Sequence, residues 1–255
     1  MTGSHVHINR DYWNGMADDW VEMGERAWVS EPSWGIWSIA EADLALVPTD
    51  MTGQAAIELG CGTGYWSAWM HRRGAVATGI DISTEQLATA QRLAETHEQG
   101  IEFLEADAEN LPFADSSFDF ALSEYGAAIW CDPDKWLREA WRVLRPGGRL
   151  VFLGNHPLTI VCTDVRGAPC DAVLHRPYRG LRGADWTEVE IDPGGIEFNR
   201  TFADWLALFR DIGFVVDNFL ELYAPDTADG DRFSIPVKWA RQYPSEQVWA
   251  LIKPA

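Results

Sequence analysis

The sequence predicts an α/β fold built on a mostly parallel sheet, and three observations carry that expectation. The apolar run Ala55-Ala56-Ile57-Glu58-Leu59 leads straight into Gly60-Cys61-Gly62-Thr63-Gly64, which reads as a buried parallel strand ending in a tight turn. Strand-like and helix-like stretches then alternate as far as residue 153, the pattern of successive βαβ units. Late in that series, Arg145-Pro146-Gly147-Gly148 closes a helix with proline and opens a strand with glycine.

The glycine turn comes first because the other segments are placed around it. Tyr65 to Arg73 reads as a helix stopped by Gly74. Glycines in such a turn admit positive φ and let the main chain approach a ligand with no Cβ between. The turn is thus a seat for a nucleotide-like cofactor at the mouth of the sheet. Tyr65 follows Gly64, so the dinucleotide fingerprint Gly-x-Gly-x-x-Gly is not met, and the Gly-Lys-Ser/Thr of a phosphate loop is absent.

Composition bounds the function classes. A chain of 255 residues, 47% apolar, suits one large α/β domain with a cap. No stretch reaches the 18 apolar residues of a membrane span, and the start, Met1-Thr2-Gly3-Ser4-His5, lacks a signal-peptide core. Cys61, Cys131, Cys162 and Cys170 form no Cys-x-x-Cys pair, so free thiols in a reducing cytoplasm are expected. A net charge of −19 speaks against nucleic acid, which requires clustered Lys and Arg. No metal set is expected, since Pro133 separates Asp132 from Asp134 and no partner acids follow. Oligomeric state is not legible, and 14 tryptophans are the composition's oddity.

Residues 1–50 read as an N-terminal cap: a helix over Asn9 to Val29 and a second over Ile36 to Leu46. The core spans 51–153. Within it Ala77 to Ile82 is strand two, and Asp81 at its end is placed to accept hydrogen bonds from both hydroxyls of a ribose, or else to serve only as a turn residue. Ser83 with Gln86 forms a capping box opening a helix that stops at Gly100. Strand three and its exit cover Ile101 to Ala108, and strand four covers Ser117 to Ser123, with Asp119 a structural entry residue. Asp134 to Leu144 is an amphipathic helix and Arg149 to Leu153 is strand five. Residues 154–200 form a long irregular substrate loop or cap. In 201–255, a helix over Thr201 to Ile212 precedes strands Phe214 to Tyr223 and Val248 to Ile252, with 239–245 returning across the surface.

Glu58-x-Gly60-x-Gly62-x-Gly64, Asp81, Asp107-Ala108, the exit Ser123-Glu124-Tyr125-Gly126 and Leu144-Arg145-Pro146-Gly147-Gly148-Arg149-Leu150 occur in order. Together they make the chain resemble class I S-adenosylmethionine (SAM) dependent methyltransferases, small-molecule type, the group that includes the ubiquinone and menaquinone biosynthesis enzymes. The resemblance is strong over about residues 55–153. It implies a Rossmann-like seven-stranded sheet with an antiparallel C-terminal hairpin, helices on both faces, an N-terminal helical cap and an insertion after strand five. It implies SAM as cofactor, with S-adenosylhomocysteine as product. Carried over, Glu58 turns the loop and holds the SAM amino group, while Gly60, Cys61, Gly62 and Gly64 pass by its methionine and ribose. Asp81, Ile82 and Gln86 follow on the ribose side. Asp107, Ala108 and Glu109 lie at the adenine, Ser123 and Glu124 near the methyl group, and Tyr12 and Trp20 are lid side chains. Cys61 reads as a backbone contact, not a nucleophile.

Methyl transfer from a sulfonium is an in-line displacement, so positioning supplies most of the catalysis; a base is needed only for a protonated acceptor. His156, directly beyond strand five, is the candidate base and acceptor contact, with a loop hydrogen bond as the bland reading; Glu124 and Tyr125 are alternatives. His5 and His7 read as a disordered start. Trp13, Trp34, Trp37, Tyr125 and Trp130 are the candidate acceptor pocket, a flat apolar slot or an aromatic cage for a cationic amine. The expected function is methyl transfer to oxygen or nitrogen of a small molecule. The alternatives are aminopropyl transfer on the same scaffold, which calls for acids around the acceptor, and a non-catalytic SAM-binding subunit.

Overall fold

The computed structural model describes residues 4–191 and 193–255. Seven strands make the central sheet: β1 (Ala55–Leu59), β2 (Val76–Asp81), β3 (Glu102–Glu105), β4 (Phe118–Glu124), β5 (Leu144–Asn155), β6 (Val215–Leu222) and β7 (Glu246–Ile252). Their order is β6-β7-β5-β4-β1-β2-β3. Neighbours among β1 to β5 pair in parallel, and β7 runs antiparallel to both β5 and β6. Strand order reverses between β1 and β4, and a ligand crevice opens at such a switch point, beyond the strands' carboxyl ends.

Five longer helices flank the sheet: α1 (Ser4–Val29), α2 (Tyr65–Arg72), α3 (Thr84–Thr96), α4 (Pro133–Val143) and α5 (Phe202–Ile212). Their ends follow local chemistry. Ser83 Oγ accepts from Gln86 N at 3.2 Å to start α3, Asp132 caps α4 with Pro133 in its first turn, and Thr201 caps α5. Gly213, at φ 107°, ends α5 in the left-handed region where glycine carries no Cβ penalty. The sheet buries both faces. One packs Ile57, Leu59 and Phe152 against Trp136, Trp205 and Phe209; the other packs Phe120, Val151 and Val248 against Trp34, Trp66 and Met70.

Four expectations change. The helix over 36–46 is replaced by a two-stranded hairpin (Ser33–Trp34 with Ile39–Ala40) and a four-residue helix, Glu41–Leu44; Gly35 (φ 69°) and Ser38 (φ 52°) turn the chain too sharply for a helix. The long insertion is not without structure, containing a helix, Pro157–Cys162, and a hairpin, Gly183–Asp185 with Ile196–Phe198. Residues 239–245 do not simply cross the surface. Trp239 and Ala240 are buried with Trp37, Ile160 and Leu181 in a cluster of their own, and Ser245 is fully covered. The last strand starts at Glu246, two residues before the expected Val248, which brings Glu246 opposite Asn155 at the carboxyl edge.

No helix is long and apolar enough to cross a membrane among the described residues. All four cysteines are free and buried.

Candidate active site

The glycine turn leaves β1 with Gly60, Gly62 and Gly64 at φ 72°, 50° and 78°. Gly60 N and Cys61 N both donate to Ile80 O, at 2.9 and 2.8 Å, tying the turn to β2. A Cβ on Gly60 would lie 2.6 Å from Ala127 N, so the turn presses directly on the exit of β4. A Cβ on Gly64 would lie 2.6 Å from the Phe103 ring. At Gly62 nothing but Gln86 Oε1, 3.9 Å away, would meet a Cβ; here the main chain is open to a neighbour.

Around the turn, Glu58 Oε2 accepts from Ser67 N and Ser67 Oγ, both at 2.6 Å, clamping the first turns of α2. Burial pushes the Glu58 carboxyl up to about 8. Asp81 accepts from Gly62 N and Ser83 N at 2.8 Å each, and burial raises its carboxyl above the ordinary range. Ile82 follows it, half-buried. Gln86 is buried with its Oε1 unpartnered. Asp107 accepts from Glu109 N at 2.8 Å, and Ala108 is buried. The Cys61 thiol is buried and pushed well above its ordinary value by desolvation, so it is not poised as a nucleophile.

These residues fit a ribosylated, cationic cofactor. An orphaned buried carbonyl oxygen and a carboxylate flank a turn with an open backbone face, which is the acceptor set that sugar hydroxyls and an ammonium require.

Other expected cofactor contacts have different partners. The Glu109 carboxylate is taken up by His5 Nε2 (2.6 Å), Asp132 N (2.6 Å) and Lys135 Nζ (2.7 Å). Burial pushes that carboxyl up, but Lys135, Asp132 and His5 together hold it below its ordinary value. It therefore clamps α1 to α4, and His5 is an ordered part of α1. Ser123 Oγ donates to Leu59 O (2.7 Å) and accepts from Ala128 N (3.1 Å), a fully buried stitch between β1 and the helix after β4. Glu124 accepts from Gly35 N (2.6 Å), Trp66 Nε1 (2.7 Å) and the Tyr65 hydroxyl. The hairpin turn at 35–38 is thereby a roof over the end of β4.

His156 is already engaged in hydrogen bonds. It is buried, Nδ1 accepts from Leu158 N at 3.1 Å, and Nε2 lies 3.0 Å from Glu221 Oε1. Both ring nitrogens are engaged, so no lone pair faces an acceptor, and burial lowers its pKa. His156 caps the 157–162 helix, as the bland reading held.

The aromatic residues divide in two. Tyr12, Trp13, Trp20 and Trp130 do converge: Trp13 lies 5.3 Å from Tyr12, 5.6 Å from Trp20 and 5.3 Å from Trp130 between ring centroids. Trp34 does not join them. It is fully buried, donates to Glu41 Oε2 at 2.6 Å and lies 4.3 Å from Trp66, so it is core beneath the roof. Trp37 is also buried, donating to Ser245 Oγ at 2.8 Å. Tyr125, at φ 57°, sits one residue before the Gly126 that abuts Gly60 and donates to Glu246 Oε1 at 2.6 Å.

Sequence reasoning missed two residues that organise this edge. Asn9 is fully buried; its amide donates to Trp130 O and Ile196 O (2.9 Å each) and accepts from Ile196 N (2.8 Å), joining α1, the β4 exit and the insertion. Glu246 is fully buried, and its Oε1 also accepts from Ile36 N at 2.9 Å. A lone Asn in a helix and a Glu at the start of a strand carry no local signal. Only the antiparallel direction of the last strand places the latter at the carboxyl edge.

Comparison with known proteins agrees with this geometry. A family model described as "Methyltransferase domain" matches residues 57–152. A demethylmenaquinone methyltransferase of Thermus thermophilus is 40% identical over 48% of this chain and 54% of its own length. A phthiotriol/phenolphthiotriol dimycocerosates methyltransferase of Mycobacterium ulcerans is 32% identical over 68% of this chain and 65% of its own. The matched stretch thus spans about half to two thirds of these curated relatives' length. The crystal structure of an S-adenosylmethionine dependent methyltransferase from Mesorhizobium loti superposes with a TM-score of 0.68 at 25% identity, covering 86% of this chain and all of that one. The open glycine turn, the acid closing β2 and the strand order agree with these likenesses: residues 57–152 match the methyltransferase-domain family, within the fold of S-adenosylmethionine-dependent methyltransferases.

Proposed function

We propose that this chain transfers a methyl group from SAM to an oxygen or nitrogen of a small-molecule acceptor. The observation that carries the reading is the switch-point turn itself. Gly62 offers an open backbone face between the Asp81 carboxylate and the orphaned Gln86 Oε1, while Gly60 presses on the β4 exit. Asp81 and Gln86 are the residues for the ribose side, Asp107 and Ala108 for the adenine, and Glu58 acts by fixing α2 beneath the loop. SAM supplies an electrophilic methyl carbon on a sulfonium; the acceptor's lone pair forms the new bond while the C–S electron pair remains on sulfur. The chain's own task is to align the acceptor and exclude water. Tyr12, Trp13, Trp20 and Trp130, with α1 lying over the glycine turn, are the groups for that task. Trp28 Nε1 donates to Thr63 O at 2.8 Å, which seats α1 on the turn.

Calorimetric titration with SAM and S-adenosylhomocysteine tests this. Binding of both near micromolar, about −8 kcal/mol, is expected. Asp81→Ala should weaken it about 30-fold or more, the loss of charge-assisted hydrogen bonds; unchanged affinity would overturn the role of Asp81. Aminopropyl transfer is favoured as a second reading by the acids at the acceptor side, Glu124 and Glu246. Donor and nucleoside product separate the two, since methyl transfer from SAM leaves S-adenosylhomocysteine and aminopropyl transfer from decarboxylated SAM leaves methylthioadenosine.

A further inference from the structure

Two carboxylates meet at Tyr125 from segments far apart in sequence, Glu124 beside it at the end of β4 and Glu246 at the start of β7, while Glu197 of the insertion hairpin has Arg176 as a counter-charge. Glu197 is buried and fully engaged, Oε1 by Asn155 Nδ2 at 2.7 Å and Oε2 by Trp186 Nε1 at 3.0 Å. Glu124 is engaged at both oxygens as well. Glu246 is not. Its Oε1 accepts from Tyr125 and Ile36, while its Oε2, in a fully buried residue, has no partner. Among the described residues no lysine, arginine or histidine pairs with Glu124 or Glu246. A buried carboxylate oxygen without a donor is costly, and the costs compound where like charges gather.

Resting on the reading of the chain as a small-molecule methyltransferase, we infer that Glu246 is the acceptor-binding residue and that the acceptor is an organic amine, held by an N–H donated to Glu246 Oε2. Above about pH 7, where the Glu246 carboxyl gives up its proton, a cation resolves what the chain leaves open: it supplies the missing donor and offsets the buried charge. An alcohol or phenol supplies only the donor, and an anionic acceptor meets repulsion. Tyr125 orients the carboxylate through its hydroxyl. When Glu246 takes the ammonium proton onto Oε2, the nitrogen is left with the lone pair a methyl acceptor needs. Because Glu246 is fully covered, entry requires the roof turn at 35–38 to lift, and each of its two N–H bonds, Gly35 to Glu124 and Ile36 to Glu246, ends on one of these carboxylates.

The test is calorimetry on the full chain saturated with S-adenosylhomocysteine, using three probes of one shape and different charge: phenethylamine, 2-phenylethanol and 3-phenylpropionate. Phenethylamine should bind at least tenfold more tightly than the alcohol, and the carboxylate more weakly than either. Glu246→Gln retains an Oε1 acceptor for Tyr125 and Ile36 but removes the charge. It should bring the amine down to the level of the alcohol while S-adenosylhomocysteine affinity stays within twofold. A merely structural Glu246 would leave the charge preference intact in that variant, and this result overturns the inference. So does equal binding of all three probes, or binding of none, by the wild-type chain, a readout that needs no variant. Failure of S-adenosylhomocysteine itself to bind strikes the methyltransferase reading instead, so the two failures are distinguishable.

Discussion

The two halves of the carboxyl edge are built on different scales. On the cofactor side the bonds that shape the site are local: Glu58 to Ser67 spans 9 residues, Asp81 to Gly62 spans 19, and the Ser83 cap spans 3. On the acceptor side they are remote: Gly35 to Glu124 spans 89, Tyr125 to Glu246 spans 121, Asn9 to Ile196 spans 187 and Ile36 to Glu246 spans 210. Loop-closure entropy grows only logarithmically, so a tenfold longer span costs just about 2 kcal/mol more. Distance in sequence is thus no obstacle to building the acceptor side. It leaves that side to depend on the whole fold, whereas the cofactor side depends on consecutive strand-turn-helix units.

The contact between the halves is where a single change has the largest effect. Gly60→Ala meets a positive φ and places its Cβ 2.6 Å from backbone atoms of Gly126 and Ala127. Strain and a backbone clash together should cost about 3 kcal/mol or more, a Tm drop of roughly 6–12 °C, with loss of SAM binding. Gly147→Ala is the control. It has a φ of 81° but nothing within 4 Å of its Cβ, so only the strain of about 1 kcal/mol remains. Equal Tm values for the two variants would show that Gly60 does not couple the halves.

Asn9→Ala acts on the acceptor side alone. It leaves two carbonyls and one N–H without their buried partner, which should cost about 2–3 kcal/mol and roughly 4–10 °C in Tm. Limited proteolysis should then cut the 163–195 insertion sooner than any site in the sheet. A cleavage pattern identical to the parent's would separate Asn9 from the insertion's order.

The same difference of scale governed what could be read from the sequence. The glycine spacing, Asp81, the Ser83 cap and the Pro146-Gly147-Gly148 turn each state their geometry within a few residues, and the sheet architecture came from the family resemblance these motifs carry. For Trp34 and Trp37 the sequence left core packing and an acceptor pocket both open, because what covers them, Trp66 and the 157–162 and 237–240 helices, lies elsewhere in the chain. His156 was correctly placed beyond β5, yet its partner Glu221 comes from β6, and position alone could not show that both its nitrogens were occupied. Glu109 looked like a cofactor contact until His5 and Lys135 arrived from either side.

The acids of the edge also make stability fall with pH. Burial lifts Glu246 from its ordinary 4.5 to about 7 and Glu58 to about 8, and raises Asp81, Glu124 and Glu197 in the same sense. Between the ordinary and the raised values the unfolded chain has lost the proton and the folded chain still holds it. Stability is therefore fully present below about pH 4.5 and drains away as pH rises through 7 and 8. His156, lowered by burial, opposes this up to its ordinary 6.5; Glu109 and Glu139, held low, matter only below about 4.5. Melting curves should fall by roughly 10 °C or more from pH 5 to pH 8. Glu246→Gln should match the parent at pH 5 and melt higher at pH 8; parallel curves would place the Glu246 titration outside this window.

The smallest expected effect lies at the rim of the acceptor side. Trp20 stacks on Phe233 with centroids 5.9 Å apart and planes 3° from parallel. Phe233 is 55% exposed, at φ 45°, followed by Ser234 at φ 60°. Two adjacent non-glycine residues in the left-handed region cost energy that the local Arg232 and Ile235 backbone pair must offset. An exposed stack is worth about 1 kcal/mol, so Trp20→Ala should move Tm by only roughly 2–4 °C. Its effect belongs in local motion: amide exchange at Arg232 and Ile235 should accelerate about fivefold, the rate equivalent of that 1 kcal/mol. Trp20→Phe, which keeps a ring over Phe233, should restore most of the protection. If exchange there is indifferent to the ring, the 231–236 turn is held by its own backbone pair, and α1 guards the cofactor side only.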